Sequence, residues 1–104
     1  MLLAIPHFTK GGSEQRAEIV RVEDIRKMIV RVLNDYTEII LIKDEPIGRI
    51  HVKRDATVKA LESLYRIMRM PDNYIKIVTI DEEGEIKLFD TMLKKAIGGE
   101  NEKV

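Results

Sequence analysis

The segment that most restricts the fold is Ile39–Ile42, four consecutive apolar residues between Glu38 and Lys43. Three of the four are β-branched, which favours a strand. Successive side chains of a strand point to opposite faces of its sheet, so a strand that is apolar at every position is covered on both faces. The segment therefore predicts a core strand with packed material on each side of its sheet, supplied by a helix or by a second copy of the chain.

The residues after this strand predict an antiparallel hairpin. Asp44–Gly48 has the composition of a turn, and Arg49–Lys53 alternates polar and apolar side chains with a period of two. We expect Ile50 and Val52 to face the core. The remaining side chains of this strand should face away from it: Arg49, His51 and Lys53.

An apolar stripe before the hairpin predicts an amphipathic helix. Its members recur at the spacing of one helix face: Ile25, Met28, Ile29, Val32, Leu33 and Tyr36. The helix could begin at Asp24, after a strand over Ile19–Val22, or at Ser13 as one long helix. We favour the long helix because Ile19 and Val22 extend the same stripe. Leu2–Phe8 is then an extended lead-in.

A second helix is predicted from Asp55 to Met70, since Asp55 is a suitable N-cap and Pro71 cannot continue a helix. The apolar side chains at helical spacing are expected to form its buried stripe: Val58, Leu61, Leu64, Tyr65 and Met68.

The last third of the chain predicts a second hairpin and a short helix. The strands are Tyr74–Ile80 and Glu85–Phe89, joined by a turn in which Gly84 takes a left-handed conformation. Asp90 is expected to cap a final helix that ends at Gly98.

Together these elements predict a single α+β domain over residues 1–104, in the order (β)αββαββα. A mainly antiparallel sheet would carry the helices on one face in two layers. Residues 1–12 are the extended lead-in, and 98–104 form a disordered tail. The order of elements resembles the roadblock/longin layout, which implies small domains that dimerise and regulate GTPases. With the lead-in strand it also resembles a ferredoxin-like βαββαβ core.

Composition excludes several classes of function. Eighteen Lys+Arg against 18 Asp+Glu give a formal net charge of zero, which excludes a strongly basic nucleic-acid coat. Without Cys, the chain has no disulfide and no thiolate metal or redox site. Neither Ser13 nor Ser63 lies in a nucleophile motif, and His7 and His51 share no metal-ligand spacing. We therefore expect no enzyme activity, no cofactor and no metal.

The compartment and source are also addressed by composition. The first residues lack a basic leader, and no apolar run approaches the roughly 20 residues of a membrane span. We therefore expect a cytoplasmic protein without a membrane partner. Ile outnumbers Leu by 15 to 8, and Asn and Gln together occur four times. This usage favours a thermophilic, archaeal source.

A basic stretch offers one candidate for nucleic-acid or phosphate binding. Its members lie close together in the chain: Lys43, Arg49, His51, Lys53, Arg54 and Lys59. Those on one strand face are about 6.5–7 Å apart stepwise, close to the phosphate repeat of a nucleic-acid strand. The same charges would protect a sheet edge from unwanted pairing, and we favour that interpretation.

The function predicted from sequence is that of a non-enzymatic interaction module that self-associates as a homodimer. Ile40 and Ile42 are the candidate self-association residues, because they lie on the strand expected to be covered on both faces. A protein partner other than a second copy is compatible with the same surface. The alternative is a nucleic-acid-binding protein that uses the basic stretch.

Overall fold

The computed structural model describes residues 1–8, 15–71 and 77–89. Within these residues the chain forms seven strands, one α-helix and two short 3-10 turns. The helix α1 spans Thr57–Met68, and the 3-10 turns span Val22–Asp24 and Arg54–Ala56. The strands are β1 (Leu2–Phe8), β2 (Gln15–Arg21), β3 (Lys27–Val32), β4 (Thr37–Ile42), β5 (Pro46–Val52), β6 (Ile77–Ile80) and β7 (Ile86–Leu88).

The described strands form two sheets. In the four-stranded sheet the order is β2-β1-β6-β7, and β1 pairs antiparallel with β2 and parallel with β6. In the three-stranded sheet the order is β3-β4-β5, and both pairs are antiparallel. The central strand β4 places Ile40 between Ile29 of β3 and Arg49 of β5.

One hydrophobic core joins the two sheets and α1. It contains Leu3 and Ile5 from the four-stranded sheet, Ile39 and Leu41 from the three-stranded sheet, and Leu64 from α1. The three-stranded sheet thus buries one face against the rest of the protein, and its other face points outward.

The prediction of a strand at Ile39–Ile42 is confirmed, although only Ile39 and Leu41 belong to the hydrophobic core. Ile39 and Leu41 are fully buried in the core, and Ile40 and Ile42 on the opposite face are each only 8% exposed. The following strand is confirmed too, although β5 already begins at Pro46. Its alternation is as expected, with Ile50 and Val52 buried and the side chains between them exposed.

The predicted first helix is wrong, both as a long helix and as one capped by Asp24. Residues 15–32 instead form β2, a 3-10 turn and β3. The apolar spacing fitted a helix because β3 carries apolar residues on both of its faces, so more than one period fits. The β-branched residues Ile29, Val30 and Val32 favour the strand.

The predicted fold class is therefore corrected. An order of (β)αββαββα, with helices on one face of one sheet, does not describe a chain that has two sheets and, among its described residues, a single α-helix. Neither the roadblock/longin layout nor the ferredoxin-like layout applies to this arrangement. The predicted last helix from Asp90, the end of the lead-in over residues 9–12 and the tail over 98–104 lie outside the described residues.

The helix α1 confirms the second predicted helix, although it begins at Thr57 and not at Asp55; of the predicted stripe, Leu64 is buried and Leu61 packs partly against the core. Val58 and Tyr65 are 68% and 60% exposed, whereas the residues that face the core are Ala60, Ser63, Leu64 and Ile67. The β6–β7 turn lies against this face: a Cβ atom at Gly84 would be 2.8 Å from the Ala60 amide nitrogen, and Ser63 Oγ donates to the carbonyl of Gly84 at 2.6 Å. No helix in the described part of the chain is long and apolar enough to span a membrane.

Candidate functional site

The predicted basic residues belong to several elements. Arg49 and His51 project from the exposed face of β5, Lys53 follows the end of that strand, and Arg54 belongs to the next 3-10 turn. Lys59 lies on α1, and Lys43 follows β4. The expected alternation of β5 is therefore present, but the six residues do not form one strand face.

Most of these cations are paired with carboxylates. Lys43 lies 3.5 Å from Asp24, and Lys59 lies 2.6 Å from Glu85. The Nζ of Lys53 forms a hydrogen-bonded ion pair with Glu83. These hydrogen-bonded carboxylates raise the pKa of both Lys53 and Lys59. Arg54 forms no ion pair with any described residue. Arg49 and His51 share one partner, Glu38.

Glu38 is a buried carboxylate at the centre of the outward face of the three-stranded sheet. Its side chain is 7% exposed, and its neighbours in register are Arg31 on β3 and His51 on β5. Arg31 Nη1 donates to Oε1 at 3.1 Å, and Arg49 Nη1 lies 3.9 Å from Oε2. We call Glu38, Arg31, Arg49 and His51 the Glu38 cluster.

The histidine of this cluster is oriented by two contacts. His51 Nε2 lies 3.0 Å from Glu38 Oε2, and because an ionised carboxylate only accepts, Nε2 carries the proton and donates. The ring of Tyr36 packs edge-on against the imidazole at 5.0 Å. The hydrogen bond from His51, followed by the charges of Arg49 and Arg31, lowers the pKa of Glu38 although burial opposes the shift.

The chemistry available to the Glu38 cluster is charge compensation. The single negative charge of Glu38 compensates one of the two positive charges of Arg31 and Arg49. In turn, these partners keep the Glu38 carboxylate ionised at the sheet surface. No hydroxyl or thiol nucleophile belongs to the cluster. Within residues 1–8, 15–71 and 77–89, no group of three His, Asp or Glu side chains is arranged to hold a metal ion.

Sequence reasoning assigned Glu38 to a strand end and did not place it in a site. Its position beside Ile39–Ile42 was visible, but its partners lie seven and thirteen residues away on two other strands. A carboxylate directly before an all-apolar strand is the signal that could have identified it, since a charge there is buried only when it is paired.

The second candidate site is the outer edge of β3. Within the described residues this strand pairs only with β4, and no described strand lies on its other side. Three β-branched apolar side chains on it are exposed: Ile29 by 43%, Val30 by 38% and Val32 by 56%. Sheet edges are usually protected by charged or inward-turned residues, and on β3 only Lys27 and Arg31 are charged. We call Met28–Val32, with its unpaired side, the β3 edge.

The predicted self-association residues lie one strand behind this edge. Ile40 and Ile42 are on the outward face of β4, yet each is already buried in a single copy, with only 8% of its surface exposed. Ile40 is the direct cross-strand neighbour of Ile29. A partner would therefore gain little additional burial at Ile40 and Ile42 themselves and more at the exposed residues of β3.

No protein-family model, curated protein or solved structure matches this chain.

Proposed function

We propose that this protein is a non-enzymatic interaction module that self-associates as a homodimer through the β3 edge. The observation that carries the proposal is the exposure of Ile29, Val30 and Val32 on a strand whose second side has no described partner. An open strand of this kind presents a row of free N–H and C=O groups that another strand can satisfy.

The β3 edge exposes three large apolar residues, whereas the edge strands β2 and β7 of the four-stranded sheet each expose one, Ile19 and Leu88. The edge strand β2 exposes charged side chains, among them Arg16, Glu18 and Arg21, which oppose pairing with another chain. Burying a fully exposed Val or Ile is worth about 1.5–3 kcal/mol, so the partly exposed residues of β3 favour association.

The alternative function, nucleic-acid binding, has less support. A phosphate would have to compete with Asp24, Glu38, Glu83 and Glu85, which already pair with five of the six candidate residues. Arg54 is the remaining one, and a single cation supplies little counterion release.

The test is the molar mass of the purified protein by light scattering over a dilution series. We expect twice the chain mass of 12.0 kDa at high concentration and a return toward 12.0 kDa on dilution. Val32→Lys, alone and with Val30→Lys, should shift the equilibrium to the monomer, because lysine on an edge opposes strand pairing. A mass of 12.0 kDa throughout the series would refute the proposal.

The matched control is Val58→Lys. Val58 is also an exposed valine, at 68%, but it lies on the helix α1 and not on a strand. It should leave the molar mass unchanged. Circular dichroism must show that each variant is folded, so that loss of the dimer is not loss of structure.

A further inference from the structure

We infer that the partner strand is β3 of a second copy, paired antiparallel about a two-fold axis that passes between Val30 and Val30 of the second copy. The two three-stranded sheets would then form one continuous six-stranded sheet. This inference rests on the proposed self-association and specifies the residues that meet across it.

The backbone of β3 determines which residues can pair outward. Leu33 N–H donates to the carbonyl of Tyr36 at 2.8 Å, so these residues form a hydrogen-bonded pair of the β3–β4 hairpin. In an antiparallel ladder such pairs recur at every second residue. The backbone N–H and C=O groups of Lys27, Ile29 and Arg31 therefore point toward β4. The N–H and C=O groups that point to the open side therefore belong to Met28, Val30 and Val32.

A two-fold axis restricts the register further. In an antiparallel pair of identical strands the axis is perpendicular to the sheet and passes midway between one residue and its own copy; an axis is named here by that residue. The central pair is hydrogen-bonded only if the N–H and C=O groups of that residue point away from β4, as they do at Met28, Val30 and Val32. An axis at Met28 or Val32 would leave half of β3 without a partner strand residue, whereas an axis at Val30 pairs all of Met28–Val32.

Charge excludes the two registers with a non-hydrogen-bonded centre. An axis at Ile29 would place Lys27 directly opposite the Arg31 of the second copy, and an axis at Arg31 would place that residue opposite itself. Like charges directly opposite each other destabilise a strand pair. With the axis at Val30, Arg31 instead lies opposite Ile29, whose apolar surface can pack against the aliphatic stem of the arginine.

The side chains on the inward face also match in this register. Val30 would lie opposite Val30, and Met28 opposite Val32, so every direct pair on this face is apolar. Met28 already packs against the core of its own copy. The pairing therefore extends each core across the axis and covers the two valines that a single copy leaves exposed.

The experiment uses the absence of cysteine in the natural chain. In the Val30→Cys variant, the two Cα atoms of the central pair would be about 5.5 Å apart, within the range of a disulfide. We expect oxidised glutathione to convert this variant to a covalent dimer at least about tenfold faster than Ile29→Cys, whose two copies are offset along the strands. Val58→Cys is the control for random collision and should not cross-link above background.

A second measurement tests the register without a new covalent bond. In the register with its axis at Ile29, Lys27→Glu would face Arg31 and strengthen the dimer by about tenfold or more. In the register proposed here Lys27 lies opposite Leu33, and the dimer dissociation constant should change by less than roughly threefold.

The outcomes separate the register from the proposed function. A chain that is dimeric by light scattering but cross-links faster through Ile29→Cys, or dimerises more tightly with Lys27→Glu, overturns the register and leaves self-association standing. A parent chain that stays monomeric overturns both. Fast, selective cross-linking through Val30→Cys in a dimeric protein supports both.

Discussion

Gly48 lies so close to Ile5 that a Cβ atom on the glycine would be 2.6 Å from Ile5 Cδ1. The same atom would be 3.2 Å from Val20 Cγ2, so two strands of the four-stranded sheet meet β5 at this point. Because Gly48 has no side chain, the two sheets can approach each other closely at this point. Any larger residue at position 48 must displace core side chains of the four-stranded sheet.

Gly48→Ala should lower the free energy of unfolding by about 1–3 kcal/mol, as expected for an overpacked core. Ile5→Val removes the methyl group that the new Cβ would meet, so the cost of Gly48→Ala should be smaller in that background. Chemical denaturation of the four proteins in this double-mutant cycle measures the coupling. An equal cost of Gly48→Ala in both backgrounds would show that Ile5 does not set the spacing.

Gly84 is constrained for two reasons that substitution can separate. Its φ is +80°, and a Cβ there would lie 2.8 Å from the Ala60 amide nitrogen and 3.0 Å from the Ala56 carbonyl oxygen. Backbone strain and a clash with the start of α1 together predict that Gly84→Ala costs roughly 2–4 kcal/mol.

Gly84→Asn distinguishes the two causes. Asparagine tolerates a left-handed backbone but has the same Cβ as alanine. If the clash with α1 dominates, Gly84→Asn should unfold at a denaturant concentration no higher than Gly84→Ala. A clear recovery of stability in the asparagine variant would mean that the conformation, and not the contact, restricts this position.

Local signals predicted the elements whose residues carry their own information. Ile39–Ile42 is both β-branched and uniformly apolar, Pro71 limits the second helix, and Gly84 marks a turn that needs a left-handed residue. Each of these expectations depends on neighbours within a few positions. The strand β5 belongs to this group as well, because its alternation reports one buried face.

The strand β3 could not be predicted in the same way. Its apolar residues occupy both faces, since one face meets the core only in part and the other lies beside Ile40. Ile29 lies between Lys27 and Arg31 on the outward face and interrupts the alternation of polar and apolar residues, so the spacing of the apolar residues also fits a helix. The exposed apolar residues that make β3 resemble a helix in sequence, Ile29, Val30 and Val32, are the residues on which the proposed function rests.

The Glu38 cluster depends on the register of three strands, which no local pattern contains. Alternation correctly placed Arg49 and His51 on the exposed face of β5. That Glu38 lies between β3 and β5 on this face follows only from the pairing of β4 with Arg31 on one side and His51 on the other.

Glu38→Gln should destabilise the protein in a pH-dependent manner. Because its partners hold the folded-state pKa of Glu38 below the ordinary value of 4.5, the unfolded chain binds the proton more readily. The stabilisation is complete above that ordinary value and is lost as pH falls through the lowered pKa. At neutral pH, we expect Glu38→Gln to lower the free energy of unfolding by roughly 1–3 kcal/mol, because it replaces a buried, paired carboxylate. In acid, its free energy of unfolding should differ less from that of the parent.

Denaturant unfolding as a function of pH measures this difference. Glu62→Gln is the matched control, because Glu62 is an exposed carboxylate of α1 that forms no ion pair with the described residues. Its stability should follow that of the parent at every pH. A constant difference between Glu38→Gln and the parent from neutral to acidic pH would contradict an ionised, stabilising Glu38.

The pairing of the basic residues with carboxylates predicts that the protein has no measurable affinity for nucleic acid. A protein that neutralises several phosphates loses affinity steeply as salt rises, with a slope set by the number of contacts. Here Arg49 and Lys53 already have carboxylate partners, and binding a phosphate would exchange one ion pair for another. We expect fluorescence anisotropy with a labelled single-stranded or double-stranded oligonucleotide to show no saturable binding at low salt. Binding with a steep salt dependence that disappears in Arg49→Glu/Lys53→Glu, but persists in the exposed-site control Arg66→Glu/Arg69→Glu on and beside α1, would restore the nucleic-acid function in place of this one.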